Sequence, residues 1–271
     1  MSARRPRAAI RTAVALLLLA LMLFPVYWML NISLQPSGNT LSGTFFPTDP
    51  TLAGYRTAFQ DQGRNLVTSL LVASGTVVVT LLVSTPCAYA LAQFRFRWIS
   101  WALLALLISQ MIPGIVIANA LYTLYERLGV LNSVPGLIVA NAANAIPFGI
   151  LILRSFMLGV PPSIVEAARV DGAGPIRSLV SVVVPISRNA LITVGLFAFL
   201  FAWSDFIFAL TLTTKGTVVP VTLGIYTYLG AHVDNWSAVM ATAVLACIPA
   251  VILLVVAQKY IAAGATGGAV K

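Results

Sequence analysis

Charge is what this sequence has least of. Asp, Glu, Lys and Arg together supply 8% of its 271 residues, against roughly 25% in soluble domains. The mean hydropathy is +0.96, and an ordinary soluble globule is excluded. Histidine occurs once, as His232, and cysteine twice, as Cys87 and Cys247. A lone histidine with no clustered partner is no metal site. Each cysteine lies within an apolar run, where a thiol behaves as a small hydrophobe, so neither a disulfide nor a bound metal is expected. Nor does Gly-x-x-x-x-Gly-Lys-Ser/Thr occur anywhere. The chain therefore has no P-loop with which to cradle ATP phosphates.

What is present is long apolar runs. Six stand out, at about 10–34, 66–92, 98–121, 136–157, 191–212 and 239–261. Each is close to the 20 or so residues needed to cross a hydrocarbon core about 30 Å thick. They are continuous rather than alternating over about ten residues, which argues for a helical bundle and against a barrel. With the N-terminus inside, twelve of the sixteen basic residues fall in inner segments: Arg4, Arg5, Arg7, Arg11, Arg95, Arg97, Arg154, Arg169, Arg177, Arg188, Lys259 and Lys271. Arg56, Arg64, Arg127 and Lys215 fall outside. This bias predicts six spans with both termini cytoplasmic, and it assigns the net charge of +9 to membrane topology rather than to nucleic acid. A cleaved signal peptide is the poorer reading of the N-terminus, because the apolar stretch is long and no small-x-small site follows it. Residues 35–65, with Pro36, Pro47 and Pro50, read as an extracytoplasmic loop. Two shorter outer loops, near 122–135 and 213–238, carry Tyr122, Tyr125, Tyr226, Tyr228 and Trp236, suited to the membrane interface. Pro113 and Pro147 fall inside spans and predict kinks.

The connection between the fourth and fifth spans, 160–190, is too long for a turn. Ser163-Ile-Val-Glu166 matches a capping box, in which the serine caps the glutamate amide and the glutamate returns the bond. Asp171-Gly172 supplies a stop, since glycine accepts a left-handed conformation, and Pro175 suits the first turn of a second helix. The expectation is a helix-turn-helix at the inner face. Small residues Ala167, Ala168 and Gly172 allow a partner's surface close to the backbone, while Glu166, Arg169, Asp171 and Arg177 offer polar contacts at its rim.

That stretch, EAARVDGAGPIRSLVSVVVP, resembles the signature of binding-protein-dependent ABC permeases: Glu-Ala-Ala, three residues, Gly, nine residues, then Ile-x-Leu-Pro. Glu166, Ala167, Ala168, Gly172, Val182, Val184 and Pro185 occupy those positions in register, with valines for Ile and Leu. Trp203-Ser204-Asp205-Phe206 resembles the family's Trp-Asn-Asp-Phe, and the end from Gly267 to Lys271 resembles the sugar-permease tail. From Asn65 onward the chain is similar to the smaller, maltose-type sugar permease subunits. The resemblance implies an all-α integral membrane protein with six transmembrane helices, the MetI-like permease fold of type I ABC importers, and a cytoplasmic coupling helix-turn-helix. It divides the chain into an N-terminal tail, first span and outer loop (1–64), a permease core (65–262) and a cytoplasmic tail (263–271). The implied importer sits in a bacterial or archaeal cytoplasmic membrane and takes up a sugar. It comprises this chain, a second permease subunit, an ATPase pair holding ATP and Mg, and an extracytoplasmic substrate-binding protein. Glu166, Ala167, Ala168, Arg169, Asp171, Gly172 and Pro185 would couple this chain to the ATPase.

Asp205 is the one acid inside an expected span. Its cost there marks it as functional by default, but a structural hydrogen-bond anchor is the better reading, since a neutral sugar needs no acid. Trp203 and Ser204 belong to the same cluster. Gln110, Asn119, Asn141 and Asn144 either line a solute pathway or bridge helices, with bridging favoured. A membrane-embedded phosphatidyltransferase is superficially suggested by Asp171-Gly172 and Arg177. Metal-assisted phosphoryl chemistry requires clustered carboxylates, however, and after Asp171 the next acid is Asp205. A secondary transporter would use intramembrane ion sites and has no need of the hairpin. Among ABC importers, glycerol-phosphate or another polar solute remains the alternative to a sugar.

Overall fold

The computed structural model describes residues 4–36, 44–94, 97–229 and 235–267. Arg95, His232 and the tail residues 268–271 lie outside them, so the readings made of those positions are not addressed by the fold. The described residues form helices joined by short connections: α1 (Arg4–Ser33), α2 (Ala53–Gln93), α3 (Ile99–Ser109), α4 (Gly114–Leu128), α5 (Val134–Met157), α6 (Pro162–Val170), α7 (Pro175–Ser178), α8 (Val184–Ile186), α9 (Arg188–Trp203), α10 (Ile207–Leu212), α11 (Val221–Leu229) and α12 (Trp236–Gly267). Four helices are long and apolar enough to cross a membrane alone, within α1, α2, α5 and α12. Two further pairs of helices reach that length only when taken together across a sharp bend. α3 and α4 meet at 94°, and the 175–186 segment meets α9 at 83°. Counting each bent pair as one span gives six.

Interruptions at 110–113 and 204–206 correct two expected spans. The run at 98–121 is not one kinked helix. Residues 110–113 leave the helix, and α4 restarts after Pro113, whose backbone is extended at φ −59, ψ 133. Proline cannot supply the amide that a continuous ladder needs there. The run at 191–212 likewise ends at Trp203, with residues 204–206 outside any helix before α10. By contrast, Pro147 is accommodated inside an unbroken α5. The loops are also more helical than expected. α2 begins at Ala53, inside the stretch read as an outer loop, α4 runs on to Leu128, and α11 occupies part of the connection at 213–238.

Two compact units divide the chain, one of residues 1–63 and 225–248, the other of 64–224 and 249–271. In the first, the end of α1 is fastened by Ser33, whose hydroxyl donates to the Leu30 carbonyl at 2.7 Å and lies 2.8 Å from the Tyr55 hydroxyl. Gly54 at the start of α2 meets Ser237 at the start of α12 so closely that a β-carbon would lie 2.6 Å from its hydroxyl. Tyr228 on α11 donates to the Asp61 carboxylate at 3.0 Å.

The second unit has two cores, at opposite ends of α5 and about the middle and the end of α2. Val72, Ala118, Tyr125, Leu137, Ala140, Phe208 and Leu212 form one, joining α2, α4, α5 and α10. The other gathers Ala88 and Tyr89 of α2, Leu153 and Met157 of α5, and Ala190 and Val194 of α9 around Val165 of α6. Between them α5 and α9 pack intimately: a β-carbon on Gly149 would lie 3.1 Å from both Ser84 and Val194. Small residues permit this approach where no hydrophobic force distinguishes a neighbouring helix from lipid.

Candidate functional site

The hairpin after α5 is built by local rules. Pro162 opens α6 as its first residue, following Pro161 at φ −57, ψ 129. Proline lacks the amide that the first turn leaves unpaired anyway, so it is well placed there. This corrects the capping-box reading. Ser163 is already inside α6, and no side chain caps the helix. Glu166 stands exposed on the surface. The start of a helix marked by two prolines displaces the serine by two positions.

The end of α6 follows the expectation. Gly172 adopts φ +80, its amide donates to the Arg169 carbonyl at 3.0 Å, and the Ala173 amide donates to Ala168 at 2.9 Å. This paired closure is the Schellman arrangement that a left-handed glycine makes available. Pro175 then opens α7 after Gly174. A π-turn at Leu179–Val183 links α7 to α8, which carries Pro185, and Ser187 marks the bend into α9.

One residue of α6 secures the hairpin to the bundle. Val165 is 2% exposed and packs in the core that holds Leu153, Met157, Leu179 and Val183. Arg154 donates to the Leu91 carbonyl at 3.1 Å, and the Arg169 guanidinium lies 6.0 Å from the centre of the Phe94 ring, a cation–π distance. Much of the rest of the hairpin is open. Glu166, Ala167, Arg169, Asp171 and Gly172 are exposed, Ala168 is half-buried and Pro185 is exposed. Val170 is 88% and Ile176 79% exposed. Two apolar side chains thus stand out at the tip, rimmed by charge, an arrangement typical of an interaction surface.

The second group of sequence-selected residues sits around the end of α9. Asp205 accepts from the Phe208 and Ala209 amides, both at 3.1 Å, and hydrogen-bonds the side chain of buried Asn141. It thereby caps α10, while its carbonyl accepts from the Thr222 hydroxyl at 2.6 Å. Asn141 also donates to Leu137 of its own helix at 3.0 Å. Trp203 is buried and stacks at 5.5 Å on Phe199. Ser204 returns its hydroxyl to Leu200 at 2.8 Å. Gln110, Asn144, Ser204 and Asp205 line one cleft. Asn119, on exposed α4 surface, is not among its lining residues. Sequence reasoning missed Phe148 and Phe201 of that cleft, because phenylalanines inside apolar runs carry no local signal, whereas Phe206 closes the Trp203-Ser204-Asp205-Phe206 stretch already singled out.

The anchoring geometry gives an expected result. Asp205→Asn keeps one acceptor oxygen of two and should keep assembly and much of the uptake, at a stability cost of under about 1 kcal/mol. Asp205→Ala removes both capping bonds and the Asn141 contact, and should cost about 1–2 kcal/mol. Thermal unfolding of the purified complex separates the two; equal loss in both would show that the charge, not the cap, matters.

The chain is similar to known proteins over most of its length. The chain is 32% identical over 262 residues to the trehalose/maltose transport system permease of Thermococcus litoralis, covering 95% of this chain and 94% of that one. It is 32% identical to the diacetylchitobiose uptake permease of Streptomyces coelicolor, covering 92% of each. It is 28% identical to the melibiose/raffinose/stachyose import permease of Bacillus subtilis, covering 100% and 99%. The fold superposes with a TM-score of 0.83, at 22% identity, on a chain of the bacterial ABC transporter involved in the import of the acidic polysaccharide alginate, covering 96% and 98%. The architecture is therefore that of the MetI-like permeases. Residues 84–266, from the last turns of α2 through the hairpin to α12, match the model of the binding-protein-dependent transport system inner membrane component, and this multi-pass membrane chain belongs to that family.

Proposed function

We propose that this chain is one of two transmembrane subunits of an ATP-driven importer that moves a sugar, delivered by an extracytoplasmic binding protein, into the cytoplasm. The observation that carries this reading is near full-length similarity to permeases named for several different sugars. The chain acts as a non-catalytic permease: it has no P-loop, so ATP and magnesium are assigned to a pair of partner ATPases. The hairpin is the coupling element, with Val170 and Ile176 seated in the ATPase and Glu166, Arg169 and Asp171 at the rim. Both termini face the cytoplasm, as the distribution of basic residues supports.

The complex of this chain with its companion permease, ATPase and binding protein, reconstituted in vesicles, tests the reading. It should take up at least one neutral sugar with ATP. Uptake of none, with ATPase still stimulated by the binding protein, would refute the sugar assignment. Topology is read by maleimide labelling of Ile176→Cys after Cys87 and Cys247 are replaced. Ile176 is suited to this because it is exposed, whereas neighbouring Ser178 is fully buried. Reaction from outside intact cells would reverse the orientation.

A further inference from the structure

We infer that this chain binds an anionic phospholipid of the leaflet on the hairpin side of the membrane, in an apolar groove where α2, α9 and the second half of α12 meet. The lipid site is independent of the solute that is carried. The groove has a volume of about 440 Å³, inside the range of roughly 300–1,000 Å³ for ligand sites. Val77 and Val78 of α2, Ile192 and Leu196 of α9, and Val256 and Ala257 of α12 line it, and all belong to the second unit.

The groove exists because its floor is made of small residues. Gly195 is buried and comes so near α2 that a β-carbon on it would lie 3.4 Å from Val77 and 3.6 Å from Leu81, and Ala257 is 4% exposed. The walls stay open, with Val78 and Val256 each 56% exposed. Ser74 alone among the lining residues carries a polar side chain, so a hydrocarbon chain is the occupant that leaves nothing unsatisfied. The groove also faces away from the cleft at Asp205. Phe199 lines the groove and Phe201 the cleft, and positions two residues apart on a helix point roughly 200° from each other.

A hydrocarbon groove cannot by itself choose among lipids, whose tails are alike in polarity. Selection lies at its mouth. α9 leaves the hairpin side at Arg188, and the span of α12 returns to end at Tyr260. Arg188 is four residues before Ile192 and Lys259 three after Val256, so each stands one turn beyond the groove on the same helix face. Both side chains are exposed, and no ion pair holds either among the described residues. The Lys259 ammonium lies 5.0 Å from the centre of the Tyr260 ring, at the level where tyrosine marks the interface. From Arg188 to Phe199 the helix rises about 16 Å, which matches one leaflet of a core about 30 Å thick. Two cations without a carboxylate partner, set one leaflet's depth from the closed end of a slot, fit a lipid phosphate above a single tail. A zwitterionic headgroup would bring its own cation to the same place, and an anionic one brings none.

The test is native mass spectrometry of the complex of this chain with its companion permease and ATPases, released from nanodiscs of equal parts phosphatidylglycerol and phosphatidylcholine. The wild type should retain phosphatidylglycerol over phosphatidylcholine by about tenfold or more, each basic residue accounting for about fivefold. Arg188→Gln combined with Lys259→Gln should abolish the preference, and Arg188→Lys combined with Lys259→Arg should keep it. Val78→Trp, which fills the groove from an exposed wall, should cut the retained phosphatidylglycerol severalfold and leave the complex assembled. A wild type without preference, or a preference that survives loss of both charges, refutes the site. Unchanged retention in Val78→Trp would show attraction at the membrane surface alone and refutes it too. If the wild type retains no lipid and Val78→Trp releases the companion permease, the groove is a subunit interface and the lipid site falls. None of these readouts requires transport, so the sugar assignment can fail while the lipid site holds, and the reverse.

Discussion

Gly172→Leu is expected to leave the permease in the membrane and abolish binding-protein-stimulated ATP hydrolysis. Gly172 holds φ +80, which costs an L-residue roughly 1–2 kcal/mol. A β-carbon there would meet nothing of this chain within 4 Å. The internal cost is therefore confined to the turn, and the remainder falls on whatever docks against it. Gly172→Asn separates the two contributions, because asparagine tolerates the left-handed region. It should preserve the turn and retain part of the stimulation. Glu166→Lys, at an exposed position, should weaken ATPase association with no loss of permease. Co-purification with the ATPase and turnover in vesicles decide the matter. Normal hydrolysis and uptake in both Gly172→Leu and Glu166→Lys would remove the hairpin from the coupling path.

Val165→Asp is expected to act by the opposite route, detaching the hairpin from its own chain. Val165 is 2% exposed and surrounded by Met157, Leu153, Leu179 and Val183, with no basic group among them. An unpaired carboxylate there costs several kcal/mol. Val165→Ala removes two methyl groups and should cost about 1–2 kcal/mol. Limited proteolysis of membranes offers the readout: cleavage between Pro161 and Gly174 should appear in Val165→Asp and stay near wild type in Val165→Ala. Equal resistance in all three would mean that Val165 does not seat the hairpin.

What could be read in the sequence depended on how local the deciding physics is. Gly172 and Pro175 act through their own backbone angles, so the turn and the restart of the helix were legible residue by residue. The same locality explains the misreading at Ser163. A serine three before a glutamate is a sound signal for a cap, but Pro161-Pro162 just ahead imposes a start that overrides it. The break after Ser109 was only half legible: Pro113 announced a disturbance, yet Met111 and Ile112 continue the apolar run beyond Gln110, and hydropathy is blind to whether such a run stays helical. The cleft was the least legible. Asn144 and Phe201 are brought together by packing of α5 on α9, which rests on Gly149 facing Val194, and nothing near either residue announces the other.

The π-turn at Leu179–Val183 makes the hairpin a matter of phase. A π-turn holds one residue more than an ordinary turn, and each residue advances a helix by about 100° and 1.5 Å. The spacing between Gly172 and Pro185 therefore works as an angular setting, aiming Val170 and Ile176 relative to the fifth crossing. A chain one residue shorter there would wind as smoothly and present its tip about a quarter-turn away.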